Sequence, residues 1–271
     1  MLRPSVVILA ALVGCATVPY TNRSQFLLLS REQENEIGAQ AFAQVLAKSR
    51  IEQRDGAVAR EVESVGRRLA QVADRPDFRW QFVVIDDAKQ VNAFCLPGGK
   101  VAVYSGILPV ARTTTGLAVV LGHEIAHALA RHGAERMSQG VVVQAGGAVM
   151  GGILGGGPST SAIMAAYNLG SQVGVLLPYG RAQESEADHI GLILMARAGY
   201  DPRAALAFWQ RLEHAGGSGP PEFLSTHPSH GTREQQIREW LPEVLPAFEA
   251  SPHAPDAPLA ARTRRDARAH A

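Results

Sequence analysis

The sequence predicts a mainly α-helical domain with a small antiparallel β-sheet, an α+β arrangement. Two patterns indicate this: apolar residues recur at helical spacing over 56–73, whereas they alternate with polar residues over 78–85. The chain has 271 residues, is 46% hydrophobic and carries a net charge of +1. That is enough for one domain with a sizeable core, which we expect to span 31–250.

The first two helices have clear boundaries in the sequence. Ser30 is followed three residues later by Gln33, a capping-box pattern, and the helix that it starts is expected to run to about Lys48. A second helix is predicted over 56–73, where valine and leucine recur on one face, and Pro76 follows its end.

The alternating segment 78–85 predicts the first strand of the sheet. Two further apolar segments, 92–96 and 100–104, lie on either side of Pro97-Gly98-Gly99. Proline and two glycines favour a tight turn, so the two segments are expected to form a hairpin.

The segment 120–133, "VLGHEIAHALARHG", places two histidines four positions apart. On a helix, His123 and His127 project from one face one turn apart, close enough for both imidazoles to bind one cation. Glu124 lies beside that face, where it could take a proton from a metal-bound water. The surrounding helix is apolar, so these side chains would be buried without partners unless a metal supplied one. H-E-x-x-H is the zinc-peptidase signature.

A catalytic zinc site needs a third protein ligand and leaves one position for water. The segment "RAQESEADHIG" offers Glu184, Glu186 and Asp188. On a helix Glu184 and Asp188 share a face, whereas Glu186 points about 160° away from Glu184. We therefore predict Glu184 as the ligand, with Asp188 accepting the free ring N–H of a liganding histidine.

These motifs resemble the M48 family of zinc metallopeptidases, which includes Oma1-like and Ste24-like proteases and bacterial periplasmic lipoproteins. The resemblance covers roughly residues 25 to 240 and extends to "NAFCLPGGKVAVYSGIL" and "STHPSHGTREQQI". It implies a zincin-like metallopeptidase domain holding one Zn²⁺ per chain. It also implies His123, His127 and Glu184 as zinc ligands and Glu124 as general base, in agreement with the helix geometry.

Two further features of the site follow from this resemblance. His227 matches the family's "THP" position; it could hydrogen-bond the oxyanion of the tetrahedral intermediate, or occupy the fourth zinc position and hold the enzyme inactive.

An exposed strand edge can hold an extended substrate through main-chain hydrogen bonds. The family places such an edge beside the zinc, at Asn92, Ala93, Phe94, Cys95 and Leu96; the alternative is a hairpin that only covers the core. We expect Cys95 to be a packed thiol.

Residues 1–14 have the proportions of a signal peptide, with one early arginine, an apolar run and a small-residue end. "LVGC" resembles the bacterial lipobox, which implies that Cys15 is lipid-modified. Ala16 then implies transfer to the outer membrane, with the enzyme facing the periplasm. Residues 15–30 would form a tether and lead-in, and the composition of 251–271 predicts a disordered tail.

The segment 140–177 is nearly uncharged and rich in glycine and alanine. It could form membrane helices, a buried helix pair or a lid over the cleft; its glycine density, Gln144 and Pro158 favour a close-packed pair.

Composition and motif together favour one function over others. The basic residues are scattered and balanced by acids until the extreme C-terminus, so we expect no nucleic-acid partner. We predict a zinc-dependent endopeptidase that cleaves unfolded or misassembled cell-envelope proteins. The alternatives are an envelope chaperone or assembly factor with secondary or suppressed proteolysis, and a zinc-stabilised interaction module. The oligomeric state stays open.

Overall fold

The structure is a computed structural model that describes residues 14–140, 180–215, 221–228 and 231–260. Nearly all of the predicted signal peptide, nearly all of the ambiguous segment 140–177 and the end of the tail lie outside these residues. None of the helices among the described residues combines the length and the apolar character that a membrane span requires.

Helices make up most of the described chain, as predicted. The first two, α1 and α2, match the predicted segments, and Ser30 and Gln33 form the predicted capping box at the start of α1. A further helical stretch at 132–140 follows α4. The helices are α1 (Arg31–Lys48), α2 (Ala57–Val72), α3 (Leu108–Ala111), α4 (Thr114–Leu129), α5 (Arg181–Arg197), α6 (Ala204–His214), α7 (Glu222–Thr226) and α8 (Arg233–Glu249).

The main sheet has three strands, β3 (Gln81–Ile85), β4 (Ala93–Leu96) and β5 (Lys100–Tyr104), in the order β3-β5-β4. The predicted hairpin is present: β4 and β5 pair antiparallel across Gly98 and Gly99, both at positive φ. The third strand differs from the prediction, because β3 pairs parallel to β5. Alternation reveals that a segment is a strand but not which neighbour it pairs with or in which direction.

Helix α4 lies at the centre of the core. Every residue from Thr115 to Leu129 is buried, since α5 packs along α4 and the sheet and α2 and α6 cover its other sides. A helix that is apolar all round can only be stable when it is covered in this way. The two histidines of the H-E-x-x-H motif are therefore held in the most enclosed part of the domain.

The segment predicted as a tether folds onto the domain. It forms a two-stranded hairpin of β1 (Gly14–Thr17) and β2 (Ser24–Leu27). Val18 and Leu27 are buried, and the backbone N–H of Leu28 donates to the hydroxyl of Ser138. The hairpin is thus attached to the stretch that follows the H-E-x-x-H helix.

The prediction of a disordered tail is wrong for residues 251–260. The backbone N–H of Leu259 donates to the carbonyl of Arg112, and Asp256 accepts a hydrogen bond from the backbone N–H of Thr115 at 3.2 Å. The composition of this segment does not reveal its order, because the order comes from contacts with distant parts of the chain. The carboxylate of Asp256 supplies the negative charge that the first turn of α4 lacks in its own sequence.

Candidate metal centre

Helix α4 carries three buried ionisable side chains: His123 is 1% exposed, and Glu124 and His127 are each 2% exposed. Because the histidines are four residues apart, they lie on the same face of α4. Their Nε2 atoms are 3.1 Å apart. Polar groups buried this deeply need hydrogen-bond or metal partners.

Helix α5 brings Glu184 to the same place, where this carboxylate is fully buried. Its Oε2 lies 3.5 Å from Nε2 of His123, and its Oε1 lies 3.3 Å from Nε2 of His127. The two helices can approach this closely because Gly191 faces α4; a Cβ there would lie 3.1 Å from the backbone nitrogen of His123. A larger residue at this crossing would separate the carboxylate from the histidines.

His227, directly after α7, completes a group of four side chains. Its Nδ1 lies 3.0 Å from Oε1 of Glu184 and 3.2 Å from Nε2 of His123. One ligand atom from each of His123, His127, Glu184 and His227 lies within 4.8 Å of the others. In a tetrahedral zinc site with Zn–N near 2.0–2.1 Å, neighbouring ligand atoms are about 3.3 Å apart. The donor types and the distances therefore fit zinc.

The protonation states of Glu184 and His127 favour a bound cation. Burial raises the pKa of Glu184, but His227 and hydrogen bonds from the neighbouring imidazoles outweigh it and hold this pKa well below its usual range. Burial lowers the pKa of His127 well below its usual value. An ionised carboxylate beside a neutral imidazole is the protonation state that metal binding requires.

Asp188 and Arg233 make hydrogen bonds that hold two of the candidate ligands, His123 and Glu184, in place. Asp188 Oδ1 lies 2.9 Å from Nδ1 of His123, which is the contact predicted from the sequence. Burial lowers the pKa of His123, but the hydrogen bonds to Asp188 and Glu184 outweigh it and raise this pKa to about 10. His123 therefore releases a proton when it binds a metal at neutral pH. Arg233 of α8 donates to both carboxylates, at 2.7 Å to Asp188 and 2.9 Å to Glu184. Arg233 was not singled out from the sequence, although it lies in the quoted segment "STHPSHGTREQQI", because only the tertiary fold brings α8 to this place.

Glu124 lies beside the group and does not belong to it. Burial is the main cause that raises its pKa. Its Oε1 is 3.3 Å from Nε2 of His227 but makes no hydrogen bond with the described residues. A buried carboxylate with a raised pKa next to a candidate metal site has the properties of a general base.

Glu186, the alternative carboxylate, points away from the four ligands as the helix geometry predicts. It accepts hydrogen bonds from Thr21, Arg23 and His132. Burial raises its pKa, but these hydrogen bonds outweigh it and lower the pKa to about 2. His132, five residues after His127, was not singled out from the sequence, although it lies in the same quoted segment.

Strand β4, the predicted substrate strand, packs against α4 and is the last strand of its sheet among the described residues. The side chains of Ala93 and Cys95 face the core, whereas those of Phe94 and Leu96 are half-exposed. The backbone of Cys95 is near enough to Glu124 to lower its pKa by hydrogen bonding. The Cys95 thiol is packed, and burial raises its pKa well above the usual value. Asn92, directly before β4, accepts a hydrogen bond at its carbonyl from Tyr104.

A buried H-E-x-x-H helix, a glutamate from a second helix and a small sheet beside them define a zincin-like, metal-dependent peptidase. The sequence model of peptidase family M48 matches residues 56–241. The chain therefore belongs to peptidase family M48, whose members use zinc, and it is a metalloendopeptidase like its named relatives.

Three relatives show how far the similarity extends. The mitochondrial metalloendopeptidase OMA1 of Schizosaccharomyces pombe is 37% identical over 86% of this chain and 68% of its own length. The mitochondrial OMA1 of Homo sapiens is 32% identical over 84% of this chain and 46% of its own. The β-barrel assembly-enhancing protease of Yersinia pestis is 31% identical over 86% of this chain and 49% of its own. The chain thus spans about half the length of the last two.

The predicted bacterial outer-membrane location is contradicted by these comparisons. Relatives from fission yeast, budding yeast, cattle and human that cover 84–86% of this chain are mitochondrial proteins. The prediction depended on the first 16 residues alone. An early arginine and a short apolar run occur in more than one kind of targeting segment, so they carry little information about the compartment.

Proposed function

We propose that the chain is a zinc-dependent endopeptidase that cleaves unfolded or misassembled proteins, with His123, His127 and Glu184 as the zinc ligands. The observation that carries this assignment is the group of buried imidazole and carboxylate atoms 3.0–3.5 Å apart. Arg233 and Asp188 keep Glu184 and His123 in place, so little reorganisation is needed on metal binding.

A bound zinc ion supplies a Lewis acid that acidifies a coordinated water and polarises the scissile carbonyl. Glu124 is placed to accept the proton of the attacking water and to deliver it to the leaving amine. Its burial excludes bulk water and raises its pKa, which makes the carboxylate a stronger base.

We propose that His227 occupies the fourth position of the ligand group in the resting protein. Its Nδ1 is as close to the neighbouring ligand atoms as those atoms are to one another. The other role, a hydrogen bond to the developing negative charge of the substrate carbonyl, requires the ring to turn away from Glu184. The two roles predict different effects of removing the ring on zinc affinity and on the cleavage rate.

Substrate binding is proposed along β4, at residues 92–96. The strand has β5 on one side and, among the described residues, no strand on its other side. Main-chain pairing is indifferent to side-chain identity, so it selects extended, unfolded segments. Cell-envelope proteins as substrates are supported by two bacterial relatives, from Vibrio cholerae and Yersinia pestis, whose names refer to β-barrel assembly.

Incubation of the purified protein with an unfolded substrate such as casein tests the proposal. We expect cleavage that a chelator abolishes and added zinc restores. A metal-loaded protein that leaves casein intact would contradict the peptidase proposal. Exchange of Glu184 for glutamine should abolish zinc binding, whereas the same exchange at the exposed Glu243 should leave it unchanged.

The names of the two bacterial relatives favour a second candidate, an assembly factor whose proteolysis is secondary. Cells that lack this protein can be complemented with the wild type or with the Glu124→Gln variant. An assembly factor would tolerate the exchange, whereas a peptidase would not, so the comparison separates the two candidate functions. Lipid attachment at Cys15, which would tether the chain to a membrane, also stays a proposal. The intact mass of the detergent-extracted protein tests it.

A further inference from the structure

A row of hydrogen bonds that the proposed reaction does not use lies behind His127. Its Nδ1 is 2.9 Å from Nδ1 of His132, and Nε2 of His132 is 2.9 Å from Oε2 of Glu186. His132 is fully buried, and Glu186 is 7% exposed. The row thus connects a proposed zinc ligand to a carboxylate on α5 through a second imidazole.

Two facing ring nitrogens form a hydrogen bond only when one carries a proton and the other does not. The atom of His127 that faces the ligand group is Nε2, at 3.3 Å from Oε1 of Glu184. A nitrogen that binds a metal carries no proton, so neutral His127 must hold its proton on Nδ1. That proton is donated to Nδ1 of His132, which must then be bare.

The same hydrogen-bond rule fixes the position of the proton on His132. With Nδ1 bare, neutral His132 carries its proton on Nε2 and donates it to Glu186. The carboxylate accepts it, so all three groups are satisfied by one assignment. The opposite tautomer of His132 would place a proton on Nδ1 and force His127 to keep its own proton on Nε2, the atom that must bind the metal.

Glu186 is itself fixed by the N-terminal hairpin. Nε of Arg23 donates to Oε2 of Glu186 at 2.8 Å, and the hydroxyl of Thr21 donates to Oε1. The guanidinium of Arg23 also makes two hydrogen bonds to Glu135, at 2.7 and 2.8 Å. Both donors belong to the loop that joins β1 and β2, so the hairpin holds the far end of the row.

We propose that His132 and Glu186 are positioning residues that select the metal-binding tautomer and ring orientation of His127, and that the N-terminal hairpin holds them in place through Arg23. The inference rests on the proposed function, because it takes His127 as a zinc ligand. It assigns no contact with substrate to either residue.

Zinc affinity separates this role from a purely structural one. A network that only fills the core would change the melting temperature equally with and without zinc and leave the dissociation constant unchanged. A positioning role weakens zinc binding itself; loss of a hydrogen bond to a liganding histidine typically costs about 10–100-fold in metal affinity.

The experiment measures zinc dissociation constants by competition with a chromophoric chelator, together with the zinc-induced shift in melting temperature. We expect His132→Phe, which keeps a ring but removes both hydrogen bonds, to weaken zinc binding by about 10–100-fold. Glu186→Gln keeps an acceptor but loses the charge, and it should weaken binding less. The matched control is His189→Phe, since His189 also bonds a glutamate, Glu243, at 3.1 Å but outside the row; its affinity should equal that of the wild type.

Nitrogen-15 spectra of histidine-labelled, zinc-loaded wild type give a readout that does not depend on whether the variants fold. The inference requires the proton of His127 on Nδ1 and that of His132 on Nε2. A proton on Nδ1 of His132 would overturn the inference, and so would wild-type zinc affinity in both His132→Phe and Glu186→Gln. A wild type that binds no zinc at all would overturn the proposed function, and with it the positioning role of His132 and Glu186.

Discussion

Glu124 and His227 face each other at the edge of the ligand group, with Oε1 of the carboxylate 3.3 Å from Nε2 of the imidazole. Both are buried, and they come from elements about a hundred residues apart in sequence. The candidate base is therefore next to the residue that is proposed to close the site. Substrate entry has to change this contact, because the attacking water must lie between Glu124 and the scissile carbonyl.

The Glu124→Gln exchange tests the role of this carboxylate. Glutamine keeps the size of the side chain but cannot take up a proton, so we expect casein cleavage to fall by about 10²–10⁴-fold. Zinc content should equal that of the wild type, since Glu124 is outside the ligand group. Cleavage rate and metal content are measured on the same preparation. Undiminished cleavage in a zinc-loaded variant would remove Glu124 from the mechanism.

Exchange of His227 for phenylalanine distinguishes its two proposed roles. If the imidazole is the fourth ligand of the resting protein, the variant should bind zinc more weakly and should cleave casein at least as fast when zinc is saturating. If it stabilises charge on the substrate carbonyl, zinc affinity should stay unchanged while cleavage falls by about 10²–10³-fold. We expect the first pattern. Titration of zinc followed by a rate measurement at saturation reports both quantities.

Asp256 should stabilise helix α4 from the C-terminal segment. Its carboxylate accepts a hydrogen bond from Thr115 in the first turn, where the chain has no acidic residue of its own. Loss of such a cap costs about 1 kcal/mol, so Asp256→Ala should lower the free energy of unfolding by that amount. Asp256→Asn keeps an acceptor and should lose less. Urea unfolding of the metal-free protein measures both; equal stability of alanine variant and wild type would contradict the capping role.

The stability of the metal-free protein should fall with acid partly through Glu186. Burial raises the pKa of this carboxyl, but hydrogen bonds from His132, Thr21 and Arg23 lower it from 4.5 to about 2. A carboxyl whose pKa is lower in the folded chain stabilises the fold above its unfolded value and loses that contribution as the pH falls through the folded value. Melting temperatures between pH 6 and 2 should therefore drop more steeply for the wild type than for Glu186→Gln. Parallel curves would show that Glu186 does not contribute.

Sequence patterns predicted much of this protein because they act over short distances. The capping box at Ser30, the helix 56–73 and the hairpin around Gly98 and Gly99 each follow from neighbouring residues, and the structure has all of them. The convergence of His123, His127 and Glu184 was also predictable. Two histidines one turn apart on an apolar helix require a buried partner, and the helical phase of Glu184 singled it out from Glu186.

Contacts between distant segments could be decided only by the tertiary structure. The parallel pairing of β3, the order of residues 251–260 and the positions of Arg233 and His132 depend on elements that lie far apart in the sequence. A pattern of residues fixes which face of a helix or strand is buried, whereas the packing of one element on another fixes what that face meets. The identity of the four candidate ligands therefore came largely from the sequence, and the network that holds them came from the fold.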